Sequence, residues 1–184
     1  MRKTIINKSN HRDITEILLK VALNTITLTH NLYLIFSNLF IDAVPALVQL
    51  MYSDNEELQA VAASVLCNIS QEDEVRVALT TSNAAEILIK RLMSPNEDIQ
   101  SRSAIILSDI AYVDGNQSLI SDKGGIEPLV ELMDSEGHDV LVNAVNAVRV
   151  LCDGNGYNQT AISECGGIPP LVEFLTLINF GMFC

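Results

Sequence analysis

The chain has 184 residues and weighs 20.1 kDa; with 48% apolar and 18% charged residues it is long enough to bury a core and too apolar to remain disordered. Eleven Lys and Arg against 23 Asp and Glu give a net charge of −12, which denies it a general grip on phosphates and excludes nucleic acid as a partner. Four Cys (67, 152, 165 and 184) form no CxxC pair, and His11, His30 and His138 lack zinc-site spacing. Neither a disulfide framework, a metal site nor a cofactor motif is indicated.

The charge is uneven along the chain. Arg2, Lys3, Lys8, Arg12 and Lys20 against Asp13 and Glu16 give the first 20 residues a balance of +3, and the remainder carries −15. This change of sign predicts a separate N-terminal segment over 1–42. Residues 21–41 contain no Asp, Glu, Lys or Arg, which is a membrane-spanning length. Eight of those 21 are polar, however, from Asn24 to Asn38, and each would need a partner in the bilayer. The segment therefore reads as a helical cap on the residues after it, with a membrane anchor as the alternative. The start, Met1-Arg2-Lys3 followed by the polar run to Asp13, is not that of a cleaved signal peptide.

From residue 43 the chain repeats itself. Ala46-Leu47-Val48-Gln49-Leu50, Ile87-Leu88-Ile89-Lys90-Arg91, Pro128-Leu129-Val130-Glu131-Leu132 and Pro170-Leu171-Val172-Glu173-Phe174 are separated by 41, 41 and 42 residues. Residues 115–133 and 157–175 are identical at 11 of 19 positions. These steps predict units over 43–83, 84–124, 125–166 and a truncated 167–184. Each unit reads as helices. Leu58, Val61, Ala62, Val65, Leu66 and Ile69 form one helical face, and the same template selects Ile99, Ser103, Ile106, Leu107 and Ile110, then Val140, Ala144, Ala147, Val148 and Leu151.

Polar clusters precede each of these faces, at 53–57, 94–98 and 134–139, and read as helix N-caps with carboxylates near the positive end of the helix dipole. Eight acids (Asp54, Glu56, Glu57, Glu97, Asp98, Asp134, Glu136 and Asp139) thereby acquire a structural reason. Gly124-Gly125 and Gly166-Gly167 supply sharp turns into a following helix, where Pro128, Pro169 and Pro170 suit the first turn. The second unit has Asn83-Ala84-Ala85-Glu86 at that place, so its turn lacks both signals. The predicted unit is a short helix, a tight turn, a middle helix of about ten residues, a capped loop and a longer third helix.

A three-helix unit of about 42 residues with GGIxPLVELM, a capped NEDIQ-type start and an ASVLCNIS-type third helix resembles the armadillo repeat over residues 43–184. The resemblance implies an all-α, right-handed α-solenoid whose third helices line a concave groove for a peptide or helix of a partner protein. Helix phase selects Val61, Ser64, Asn68 and Gln71, then Arg102, Ile105, Asp109 and Tyr112, then Asn143, Asn146, Val150 and Asp153 as groove-facing, with Arg149 beside them.

In family members that receive nuclear localisation signals, each third helix carries a Trp four residues before an Asn. Here the Trp positions hold Ser64, Ile105 and Asn146, and the Asn positions hold Asn68, Asp109 and Val150. With no Trp in the chain and one matching Asn, the import-receptor mode is disfavoured. The mixture of polar, apolar and charged groups suits a specific protein partner better than a polycation. Arg102 and Arg149 are candidates for a partner carboxylate, Asp109 and Asp153 for a Lys or Arg.

No catalytic constellation emerges. Gly154-Asn155-Gly156 lacks the third glycine and the preceding strand of a nucleotide loop, and no nucleophile elbow or paired acid and base appears. Cys67 and Cys152 lie among Val, Leu and Ile and read as small core residues; unpaired thiols favour the cytoplasm or nucleus. The apolar stretch from Leu175 to Cys184 has no capped third helix after it, which predicts a piece of a longer repeat protein and an end prone to self-association. The resulting expectation is a non-enzymatic interaction scaffold.

Overall fold

The structure, a computed structural model, describes residues 39–179, with side chains as far as Thr176. Contacts divide the chain into Met1–Leu39 and Phe40–Cys184, and all the described residues but Leu39 belong to the second unit. The basic N-terminal segment and nearly all of the uncharged run over 21–41 lie outside the described residues, as do the last five. Among the described residues no helix is long and apolar enough to cross a membrane.

Ten helices and no strand are present among the described residues. They are α1 (39–50), α2 (Glu56–Ile69), α3 (Asp73–Thr81), α4 (Ala84–Leu92), α5 (Glu97–Ile110), α6 (Asn116–Asp122), α7 (Ile126–Leu132), α8 (His138–Cys152), α9 (Gly156–Glu164) and α10 (Ile168–Asn179). The middle helices α4 and α7 have 9 and 7 residues, shorter than expected. The third helices α2, α5 and α8 have 14, 14 and 15. α5 packs between α2 and α8, while α4 packs on α5 and α7 on α8, so successive layers share one core.

The predicted faces of α5 and α8 are buried along their whole length, with Ile106 and Leu107 fully enclosed. Each large side chain so buried contributes about 1.5–3 kcal/mol. On α2 the prediction holds for Ala62, Leu66 and Ile69, whereas Leu58, Val61 and Val65 are exposed. Their counterparts Ile99 and Ile106 are covered by a preceding layer, and the described part of the first layer has none. Leu88 and Leu129, in interior layers, are fully buried, while Leu47 and Leu171, in the outer ones, are half-buried.

The turns into the middle helices are built as the glycines require. Gly124 and Gly166 take φ of +79° and +80°, and Gly125 and Gly167 donate their N–H back to Ile120 and Ile162 carbonyls at 2.9 Å. In the second unit Asn83 takes the same left-handed place, at φ 56°. Asn is the side-chain-bearing residue that most readily tolerates this conformation, so the turn is made without glycine.

The capped loops follow the prediction in two units of three. Asn55 and Asn96 accept from the N–H of Leu58 and Ile99 at 3.2 and 3.3 Å. At α8 the N-cap is Gly137, with no side-chain cap. What all three loops share is a serine hydroxyl, Ser53, Ser94 or Ser135, that accepts the N–H two residues on, at 3.1 to 3.2 Å. Bonds one period long then tie layer to layer. Arg91 clasps the Met51 carbonyl at 2.9 and 2.6 Å, and Asn96 donates to Glu56 at 2.8 Å.

Candidate functional site

The side chains selected by helix phase lie along α2, α5 and α8, and most reach the surface. Asn68, Gln71, Asn146, Arg149 and Asp153 are exposed, Tyr112 is 57% exposed, and Ser64, Arg102, Ile105, Asp109 and Asn143 are half-buried. Val150 is the exception. It is 2% exposed, because α6 packs on α8, where Gln117 donates to the Val150 carbonyl at 2.9 Å. Arg149, one residue earlier, takes the surface instead.

Several of these groups are already engaged between layers. Asn143 donates to the Ser101 hydroxyl at 2.8 Å and Asn146 to the Ser108 hydroxyl at 3.2 Å. The Arg149 guanidinium donates twice to Asn146 Oδ1, at 3.2 and 3.0 Å, and once to the Tyr112 hydroxyl at 3.4 Å. Asp109 accepts from the buried Ser70 hydroxyl at 2.5 Å. These bonds fix the orientation of the surface groups before any partner arrives, which lowers the entropy cost of binding. Asn68 and Ser64, in contrast, make no side-chain hydrogen bond among the described residues.

The electrostatics are shaped by burial. Burial holds the Asp109 carboxyl above its ordinary range, against the downward pull of the Ser70 hydroxyl and the Arg76 guanidinium. Burial likewise raises the Cys67 thiol, opposed by Arg102 beside it and reinforced by Asp109. Cys67 and Cys152 are half-buried, less enclosed than core residues, and both thiols are free, as is the exposed Cys165.

Sequence phase alone missed Arg76 and Ser70. Arg76 stands on α3, outside any third helix, yet its guanidinium lies 5.8 Å from the Tyr112 ring centre. It also pairs with Asp73 at 2.6 Å and donates to the Gln71 carbonyl at 2.7 Å. Its counterparts in the next two units are Gln117 and Gln159, which also donate to carbonyls at the ends of third helices. The shared feature is a long donor at this position, a signal that the change from Arg to Gln conceals. Beside this strip, a cleft of about 250 Å³ opens between Tyr112, Val113, Gln117, Val150 and Asp153. No group of His, Cys, Asp and Glu among the described residues is arranged to hold a metal. Gly154-Asn155-Gly156 serves as a helix start, with Asn155 accepting from the Asn158 N–H at 3.1 Å.

The comparisons with known proteins agree with this geometry. Residues 40–71 and 114–153 match the family model for the armadillo/beta-catenin-like repeat. No curated protein matches the chain. Among solved structures, an engineered protein from a structural genomics consortium is 34% identical, with a TM-score of 0.69 over 73% of this chain and 56% of its own. A computationally designed armadillo repeat protein for modular peptide recognition is 27% identical, with a TM-score of 0.68 over 73% of this chain and 57% of its own. A designed armadillo repeat protein in complex with the peptide (KR)4 is 26% identical, with a TM-score of 0.68 and the same coverage of 73% and 57%. The chain thus spans little more than half the length of these structures. With the repeated three-helix layers, the glycine turns and these matches in agreement, residues 40–71 and 114–153 are armadillo-like repeats and the described chain has the fold of armadillo repeat proteins.

Proposed function

We propose that the chain is a non-enzymatic interaction scaffold whose row of third helices holds an extended or helical segment of a partner protein. The observation that carries this reading is the strip from Asn68 through Asp109 and Tyr112 to Asn146 and Arg149, in which all but Asn68 are oriented by bonds between layers. The Asn68 amide and the guanidinium N–H groups on such a strip can pair with a peptide backbone and with carboxylates, each neutral bond netting about 1 kcal/mol. On this reading the repeats run over 43–83, 84–124 and 125–166, with a truncated one over 167–184.

A designed relative is in complex with (KR)4, but this strip suits a different ligand. It has no Trp to flank a Lys stem, and Asp109 is half-buried and already accepts from Ser70. Arg76, Arg102 and Arg149 border it, which favours a segment that carries carboxylates. The unpaired thiols support a reducing compartment, the cytoplasm or nucleus.

The test is recovery of bound proteins from a cell extract with the wild-type chain and with an Asn68→Ala, Arg102→Glu, Asn146→Ala variant. Loss of specific partners from the variant, with helix content intact, supports the groove. Unchanged recovery removes it from the explanation.

A further inference from the structure

Ser70, Asp109 and Arg76 form a polar group that the next pair of layers does not repeat. One period on, the same three places hold Ala111, Val150 and Gln117. A hydroxyl, a carboxylate and a guanidinium thus occur together where the repeat rule supplies a methyl, an isopropyl group and an amide. Ser70 is fully buried and Asp109 half-buried. Taking such groups out of water costs stability unless they are bonded, so packing alone does not account for the trio.

The hydrogen bonds here count protons. Ser70 Oγ lies 2.5 Å from Asp109 Oδ2 and 3.1 Å from the Cys67 carbonyl, one of the last four carbonyls of α2, which the helix itself leaves without a donor. A hydroxyl has one proton to donate. With Asp109 ionised, that proton goes to the carboxylate and the carbonyl loses it. With Asp109 protonated, the acid donates to Ser70 and Ser70 to the carbonyl, so both contacts become hydrogen bonds. The protonated acid satisfies the geometry in full, which agrees with the upward direction in which burial moves Asp109.

The charges around Asp109 come from every helix packed on α5. Arg76 faces it from α3 and is itself paired with Asp73. From α2 the Cys67 thiol faces it, and Arg102, on the same helix as Asp109, lies within hydrogen-bond reach of that thiol. α8 presents Asn146 and Arg149 to Ser108 and Tyr112. On α4, Lys90 is paired with Glu86, and Arg91 is bound to the Met51 carbonyl. A partner carboxylate that reaches Arg102 therefore arrives across one thiol from Asp109. Two carboxylates that close disfavour each other's ionised form, and a proton on Asp109 removes the repulsion.

Resting on the interaction reading above, we propose that the third-helix strip binds a carboxylate-bearing segment together with one proton, taken from solvent by Asp109, so that its grip on such a partner strengthens as pH falls. Linkage fixes the sign. Affinity is full below the Asp109 pKa of the free chain, weakens by up to about tenfold per pH unit as pH rises to the higher pKa of the complex, and levels off above it.

The probe is a peptide selected from a random displayed library on the full chain at mildly acidic pH, required to bind the wild type and not the Asn68→Ala, Arg102→Glu, Asn146→Ala variant. Calorimetry across a pH series, in buffers of different ionisation enthalpy, gives its Kd and counts the protons taken up. The expected peptide carries Asp or Glu, binds with uptake of up to one proton and shows the Kd profile above. In the wild-type chain, the NMR titration midpoint of the Asp109 carboxyl carbon moves upward when the peptide is added. Asp109→Asn, whose amide donates to Ser70 as the acid does, abolishes both the uptake and the pH dependence. A groove-dependent peptide that leaves the Asp109 midpoint unmoved and binds equally across the series overturns the coupling and leaves the interaction reading standing. Failure to obtain any groove-dependent peptide overturns both.

Discussion

The Cγ2 methyl of Ile120 occupies the space that a Cβ on Gly125 would need, at a distance of 2.7 Å, and the Ile120 carbonyl would be 3.0 Å away. Ile162 and Gly167 repeat the relationship with the same two distances. The second unit resolves the conflict differently. It carries Ala84 where the others have glycine, and Leu79, which has no methyl on Cβ, where the others have isoleucine. Among the described residues the backbone bond that Gly125 makes to Ile120 has no counterpart between Ala84 and Leu79. Gly125→Ala should therefore lower the unfolding free energy by about 1–3 kcal/mol, and adding Ile120→Leu should recover part of the loss. Urea denaturation of the two single variants and the double variant measures the coupling.

Gly137 is a different case. A Cβ there would meet the Glu97 carboxylate at 2.8 Å, the mobile end of an exposed side chain. One period earlier the same pair of positions is Asn96 and Glu56, joined at 2.8 Å, and Asn96 also caps its helix. Gly137→Asn should recreate both bonds and stabilise the chain by about 0.5–1 kcal/mol. A thermal midpoint at or below that of the wild type would count against this reading of the loop.

Asn158 is fully buried and donates to the carbonyls of Leu151 at 2.9 Å and Gln117 at 3.2 Å, joining the last two layers. Asn158→Ala leaves both without this donor, at a cost of about 1–3 kcal/mol. Equilibrium unfolding with the helix signal as probe checks the size, and a change below the error of the measurement would show that water replaces the amide.

Asp109 gives the chain a pH dependence of defined sign. Its folded pKa is raised, chiefly by burial, so the folded chain keeps this proton to higher pH than the unfolded chain does. The associated stability is full below the ordinary carboxylate range and is lost as pH rises through the folded pKa. Asp109→Asn keeps an oxygen for Ser70 and removes the titration. The advantage of the variant in urea midpoint should therefore grow as pH rises from the ordinary carboxylate range through the raised folded pKa and then level off. A gap that does not vary with pH would place the raised affinity for the proton elsewhere.

Much of this architecture is legible in the sequence because a repeat states its own rule several times. The spacing of Leu47, Leu88, Leu129 and Leu171 sets the layers, and the stripe from Ile99 to Ile110 sets the buried face of α5. The departures occur where the rule meets a local exception. Val150 is in phase with Asp109 but lies under α6, and helix phase contains nothing about the neighbour. Leu58 and Val65 carry the apolar pattern of covered residues without a covering layer among the described residues. Arg76 reaches the strip from another helix, so no periodicity of α2, α5 or α8 can reveal it.

The bonds one period long have a mechanical consequence. Arg91 to Met51 and Asn158 to Gln117 join neighbours 40 and 41 residues apart, and among the described residues no side-chain hydrogen bond spans more than about one period. A solenoid tied only to its nearest neighbours should peel under tension from its ends. Each rupture would free one period and lengthen the tether by about 140 Å, so the spacing of the force peaks would read out the duplication that built the chain.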